Sequence, residues 1–261
     1  MMRALNTAAS GMSAQQTAVD VIAHNLANVN TTGFRKNRAE FEDLIYQNIR
    51  TPGGTTGEGL KLPTGIQIGE GVRLVSTTQI HMQGSLLQTG NSLDLAIEGA
   101  GFFKITRPGG EIAYTRAGNF KLDADARLVT VDGYEIDPPI SIPTNATSLT
   151  VSPDGTVSVT VPDSTATQEV GKIQLANFLN PAGLLAIGRT LYTPTDASGE
   201  AIEADPGTEG LGTIAQGFLE ASNVDVVNEM IDLIASQRAY EVNQRVITTA
   251  DEMLQRVTER L

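Results

Sequence analysis

Cysteine and tryptophan are absent from this chain of 261 residues, and only two histidines, His24 and His81, occur in it. Without cysteine there is no disulfide framework, no thiolate metal site and no cysteine nucleophile. Aromatic residues are scarce at 5%. Basic residues are outnumbered, 18 Lys and Arg against 30 Asp and Glu, which leaves a net charge of −12. A generic phosphate-binding surface needs the opposite balance, so nucleic acid is excluded as the main partner. Long apolar runs are missing too. The start, MMRALNTAASGMSAQQTAVD, carries Arg3 but no unbroken apolar h-region, and polar residues interrupt every later apolar stretch. Neither a cleaved Sec signal nor a membrane span is expected, which by Sec logic alone points to the cytoplasm.

Motifs of catalysis are equally sparse. Asp20 stands one helical turn before His24 and reads as an orienting partner rather than the start of a zinc site. The acid pairs Asp94 with Glu98 and Asp123 with Asp125 have general acid/base chemistry open to them, but the second pair falls in a turn where such residues are ordinary. In GGTTGEGLK, residues 53–61, the lysine follows Leu60 and no Ser or Thr comes after it, so a phosphate-binding loop is not spelled. No catalytic, cofactor-binding or metal-binding residue is assigned.

What the chain does have is periodicity. Leu5, Met12, Val19 and Leu26 recur every seven residues, and Ala8, Ile22 and Val29 form a second row with Gln15 as its polar member. This predicts a helix ending near Asn30, with Gly33 free to take the left-handed conformation that closes it. At the other end Ser222 to Asp225 resembles a capping box. Val226, Leu233, Tyr240, Ile247, Leu254 and Leu261 then repeat every seven residues, beside a row of Glu229, Ser236, Asn243, Ala250 and Val257. The second row begins polar, so this seam needs more than one partner.

Between the ends the period becomes two. Segments such as FFKI, IAYT, RLVTV and TVSVTV are separated by turns at Pro108-Gly109-Gly110, Asp132-Gly133 and Pro153-Asp154-Gly155. The expected fold is α+β. Residues 1–33 and 222–261 are expected to form a terminal helical coiled-coil domain, 34–84 and 212–221 a connecting extended or β segment, and 85–211 an outer antiparallel all-β domain. A short helix over Arg38 to Gln47 is expected, then a Gly/Thr/Pro arm. Arg35, Lys36 and Arg38 beside Glu40, Glu42 and Asp43 read as a dipolar surface. The strict heptads at both ends specify a coiled coil between them, which as a thin Ala- and Gln-containing seam is incomplete in a lone molecule. Leu5, Met12, Val19, Ile22, Leu26 and Val29, with Leu233, Tyr240, Ile247 and Leu254, are the expected assembly core. Asn28, Thr32, Gly33 and Phe34 fix where the chain leaves it.

ASGMSAQQTAVDVIAHNLANVNTTGFRKNRAEFEDLIYQ (9–47) and SNVDVVNEMIDLIASQRAYEVNQRVITTADEML (222–254) resemble the bacterial flagellar rod and hook axial proteins. DLAIEGAGFFKI (94–105) and AYTRAGNFKLDADARLVTVDGYEI (113–136) extend the likeness, and YQNIRTPGGTTGEGLKLPTGIQIGEG (46–71) is similar to the extended segment of the family's distal rod members. Arg245 stands where a lysine is frequent and His24 where asparagine is common. The resemblance implies a structural subunit of the distal rod. It implies export through the flagellar type III apparatus without a cleaved Sec signal, and helical self-polymerisation into a hollow, torque-carrying shaft that encloses the export channel. Such a shaft spans the periplasm in the basal body. Its implied partners are copies of itself, proximal rod subunits, the hook protein and the ring proteins that act as a bushing. A proximal rod or hook-type subunit is the nearest rival. A monomeric β-domain enzyme or binding module is the alternative from another class.

Overall fold

The computed structural model describes residues 2–51, 55–56, 60–61, 64–161 and 167–258. Helices stand at the ends of the chain and strands between them, an α+β architecture. Two compact units result. One comprises 1–27, 37–78 and 225–261, and the other comprises 28–36 and 79–224.

The first unit is built on α1, Met2–Ala27, and α2, Val226–Thr258. At 1.5 Å per residue they are about 40 and 50 Å long. They run antiparallel in contact: Gly11 lies against Asn243, where a Cβ would sit 2.9 Å from Asn243 Nδ2, and Asn25 Nδ2 donates to Glu229 Oε2 at 3.1 Å. The seam is made of small and polar side chains. Ala8, Ala14, Asn25, Glu229 and Ala250 are its fully buried members. α1 stops at Ala27, a turn before the expected Asn30, and residues 28–30 form a turn in which Thr31 Oγ1 donates to Asn28 Oδ1. α2 begins after Asp225, whose Oδ1 accepts the Val227 and Asn228 amides. Asp225 is therefore the N-cap, and Ser222 instead accepts the Val224 amide one turn earlier.

The helix expected over Arg38 to Gln47 is absent. Asn37–Asp43 and Tyr46–Arg50 are strands, paired with Val72–Gln79 and Ile66–Gly69 respectively. Helix-forming residue types are overridden here by cross-strand contacts distant in sequence, among them an ion pair of Arg73 with Glu42 and a hydrogen bond from Ser76 to Glu40. Of the arm and the glycine-rich run, residues 52–54, 57–59 and 62–63 lie outside the described residues. So do Leu261 and the side chain of Val257.

The second unit is a β body. Among the described residues it holds a nine-stranded sheet and a three-stranded one, with the paired strands antiparallel. Strand Phe102–Thr106 is central, bonded to Ile112–Thr115, Glu135–Ile136 and Leu175–Asn177. Its period of two sends Phe103 and Phe102 to opposite faces. Phe103 meets Phe120 edge-on at 5.1 Å within an aliphatic core that includes Leu95, Ile97, Ile136 and Leu175. Phe102 joins Phe178 and Tyr192 in an aromatic cluster, with ring centroids 5.8 Å apart in both pairs. The strands Leu86–Gln88 and Leu95–Glu98 pair with Phe218–Glu220 and Thr213–Gln216, so both ends of the β stretch are tied back into the body.

Candidate functional site

Among the described residues no group of three or more His, Asp and Glu is placed to hold a metal. Asp94 is a loop staple that accepts hydrogen bonds from Thr89 and Asn91. Asp123 and Asp125 flank Arg127 in a turn. The features with unspent chemistry are surfaces.

Leu5, Met12, Val19, Ile22, Leu26 and Val29 are each half-buried, as are Leu233, Ile247 and Leu254. Tyr240 is 37% exposed, between the half-buried Leu233 and Ile247 on the same row. On α2 the inward face runs through Glu229, Leu233, Ser236, Ala239, Asn243, Ile247 and Ala250. The opposite face is mixed. Val227, Met230, Ile231, Ile234, Val242, Val246 and Met253 lie along it, between 42 and 66% exposed, interspersed with Arg238, Glu241, Arg245, Thr249 and Glu252. At 100° per residue this stripe stands diametrically across from the buried one. Burying half of each such side chain contributes about 1 kcal/mol, so the stripe holds several kcal/mol of association energy that the lone chain does not use. The heptad rows did not include this stripe. Its signal was present in the i, i+4, i+7 spacing of Val227, Ile231 and Ile234.

The residues expected to set the exit of the chain divide in two. Asn28 and Thr32 are half-buried, whereas Gly33 and Phe34 are buried. Gly33 has φ +70° and its absent Cβ would lie 2.6 Å from the Ala117 amide nitrogen, so glycine is required for both conformation and space. Its amide donates to the Glu220 carbonyl at 2.8 Å. Asn25, read in the sequence only as part of the helix stop, is 1% exposed: its Nδ2 also donates to the Asn37 carbonyl at 2.8 Å, and its Oδ1 accepts the Asn37 amide at 2.9 Å.

The dipolar surface needs one correction. Arg38 and Glu40 form an exposed ion pair at 2.9 Å, but Arg35 is buried and donates from Nη2 to Glu220 Oε1 at 2.7 Å. Arg116 Nε stands 3.2 Å from Glu220 Oε2 without aligning as a hydrogen bond. Burial, opposed by the nearby Glu220 charge, lowers the Arg116 pKa to about 10, so the group stays cationic at neutral pH. One buried carboxylate thus stands between two buried guanidinium groups.

Three family models match the chain. "Flagella basal body rod protein" matches residues 5–35, "Flagellar hook protein FlgE/F/G D1 domain" matches 96–159, and "Flagellar basal body rod FlgEFG protein C-terminal" matches 215–260. The chain is 51% identical to the flagellar basal-body rod protein FlgG of Caulobacter vibrioides, with 99% of each chain covered. It is 50% identical to FlgG of Borreliella burgdorferi over 97% of each chain. With FlgG of Bacillus subtilis it shares 43% identity over 98% of this chain and 97% of that one.

Proposed function

This chain belongs to the flagellar basal-body rod protein family, and from that premise we propose that it is a structural subunit of the flagellar distal rod. In this reading its work is done by contacts between copies, not by a catalytic cleft. Near-complete coverage of FlgG chains carries the assignment. The two-faced α2 supplies the physical means: one face meets α1 and the other is left for a neighbour.

The terminal helices, residues 1–33 and 222–261, form the coiled-coil domain and line the inner tube of a hollow helical polymer. Residues 34–84 and 212–221 connect it to the β domain, 85–211, which faces outward. Leu5, Met12, Val19, Ile22, Leu26 and Val29 pack with Leu233, Tyr240, Ile247 and Leu254 of this and adjoining copies, while Asn28, Thr32, Gly33 and Phe34 set the exit. Close packing of such interlocked helices has few soft modes, which suits a shaft that carries torque and encloses an export channel. The subunit is exported by the type III apparatus without a cleaved Sec signal. It spans the periplasm in the basal body and meets proximal rod subunits, the hook protein and the ring proteins. No described helix is long and apolar enough to cross a membrane.

Sedimentation velocity of the purified full chain across a concentration series, with electron microscopy of the fast fraction, tests the reading. Concentration-dependent hollow filaments are the expected result, and a species that stays monomeric at every concentration and salt overturns it. With −12 per copy, mean repulsion slows association at low salt, so added salt is expected to accelerate it.

A further inference from the structure

The buried charges of the β body leave hydrogen-bond donors unspent. Arg35 is 1% exposed, and while its Nη2 is engaged by Glu220, its Nη1 is sealed from solvent with no hydrogen-bond partner among the described residues. Arg35 lines a cleft of about 180 Å³ together with His81, Phe102, Arg116 and Pro181. Both imidazole nitrogens of His81 are likewise buried without a well-formed hydrogen bond. The ring is held edge-on to Phe102 and Tyr192 at 5.8 and 5.9 Å. Burial first, and then the cations Arg35 and Arg116, lower its pKa to about 4 against a weak opposite pull from the Pro181 backbone. At neutral pH the imidazole is therefore uncharged and has one N–H to give.

Arg116 has little left to offer. Its Nη1 donates to the Gly101 carbonyl at 2.8 Å and its Nη2 to the Gly99 carbonyl at 2.6 Å, so one N–H of each is spent and its main contribution to the cleft is charge. Two guanidinium groups and one carboxylate give the cluster a formal charge of +1. A buried cation with an unused N–H pair is costly until an acceptor completes it.

We propose that this cleft is a carboxylate-binding site, in which Arg35 Nη1 and a His81 N–H donate to one carboxylate group whose short aliphatic stem lies against Phe102 and Pro181. One negative charge cancels the surplus of the cluster. Two N–H groups on Nη1 and one on the imidazole match what a single carboxylate accepts, whereas a phosphate or sulfate brings more charge and more acceptors than these donors satisfy. His81 as a whole is only half-buried, and in this proposal its ring is the part of the wall that turns to admit the carboxylate to Nη1. The carboxylate has two sources. One is a free carboxylate anion. The other is an acidic side chain of a neighbouring copy, in a chain with 30 Asp and Glu, and this source rests on the assembly reading above.

The two histidines make the test direct, because imidazole nitrogen NMR of the full chain reports two rings, and a His24→Gln variant assigns them. Sodium acetate is titrated into the dilute chain at pH 7 in a carboxylate-free buffer, with sodium chloride holding ionic strength constant. A saturable shift at His81 that chloride does not reproduce supports the site. No shift, or an equal response to chloride, overturns it. Arg35→Lys keeps one cation for Glu220 and removes the fork, and is expected to weaken acetate about tenfold. Should that variant fail to fold, the comparison of acetate with chloride in the unaltered chain still decides.

Solid-state NMR of sedimented filaments without added carboxylate separates the sources. His81 at its acetate-bound position supports a neighbour's side chain, and His81 at its unliganded position, with acetate still saturable, supports a free anion. Filament formation is read independently by sedimentation. Filaments with an acetate-silent His81 overturn this inference and leave the assembly reading standing, while acetate binding without filaments does the reverse.

Discussion

Strand Phe102–Thr106 and helix α2 both present apolar side chains on opposite faces, and only the strand buries both of them. Phe103 enters the aliphatic core and Phe102 the aromatic cluster, each under 5% exposed. On α2 one face finds α1, through a seam of alanines, Asn25 and Glu229, and the other stays largely exposed among the described residues. The β body closes both of its cores by its own contacts, with Leu179, Met82 and Leu87 left exposed at its surface. Helix α2 leaves Val227, Met230, Ile231 and Ile234 exposed on one side, which is the pattern of a part made to be joined.

Substitutions inside the body should break its self-sufficiency most. Phe103→Ala removes a fully buried ring and is expected to cost the body about 3–5 kcal/mol, read by urea unfolding of the full chain. Glu220→Gln leaves two buried guanidinium groups facing a neutral amide and should cost a similar amount, about 3–5 kcal/mol by the same measurement.

Acid gives a graded version of the same strain. The His81 pKa is lowered in the folded state from about 6.5 to about 4, so the unfolded chain binds the extra proton and stability falls as pH drops through that window. The loss reaches at most about 3 kcal/mol. Thermal melts from pH 7 to pH 4 in a carboxylate-free buffer check this, with His81→Gln expected to flatten the slope.

The helical ends should respond in the opposite way. Ile234→Asp alters an exposed position, so the body's melt should move by no more than about 0.5 kcal/mol while assembly is lost in sedimentation. Leu26→Asp should likewise block assembly and leave the melt of the β body unchanged. A fall in that melt would show that the body depends on the helix, and the contrast between the two regions would fail.

The parts legible in the sequence were those governed by local periodicity. Seven-residue rows at both ends and alternation in the middle were enough to read α+β, because helix and strand impose their periods on nearby residues. Gly33 was legible too, since a left-handed turn after a helix leaves few other choices. What failed depended on distant partners. NRAEFED is rich in helix formers, and only its pairing with Val72–Gln79 makes it a strand. Arg35 looked like a member of a surface cluster because Glu220, which draws it inside, lies far along the chain. Tyr240, 37% exposed, sits on the same seven-residue row as the half-buried Leu233 and Ile247.

Amide hydrogen exchange, measured segment by segment in the dilute chain and in sedimented filaments, tests the incompleteness of the ends most directly. Residues 230–254 should exchange faster than strands Phe102–Thr106 and Ile112–Thr115 in the free chain, then slow by orders of magnitude on assembly while the strands stay unchanged. A helix already as protected as those strands in a chain that never associates would contradict it.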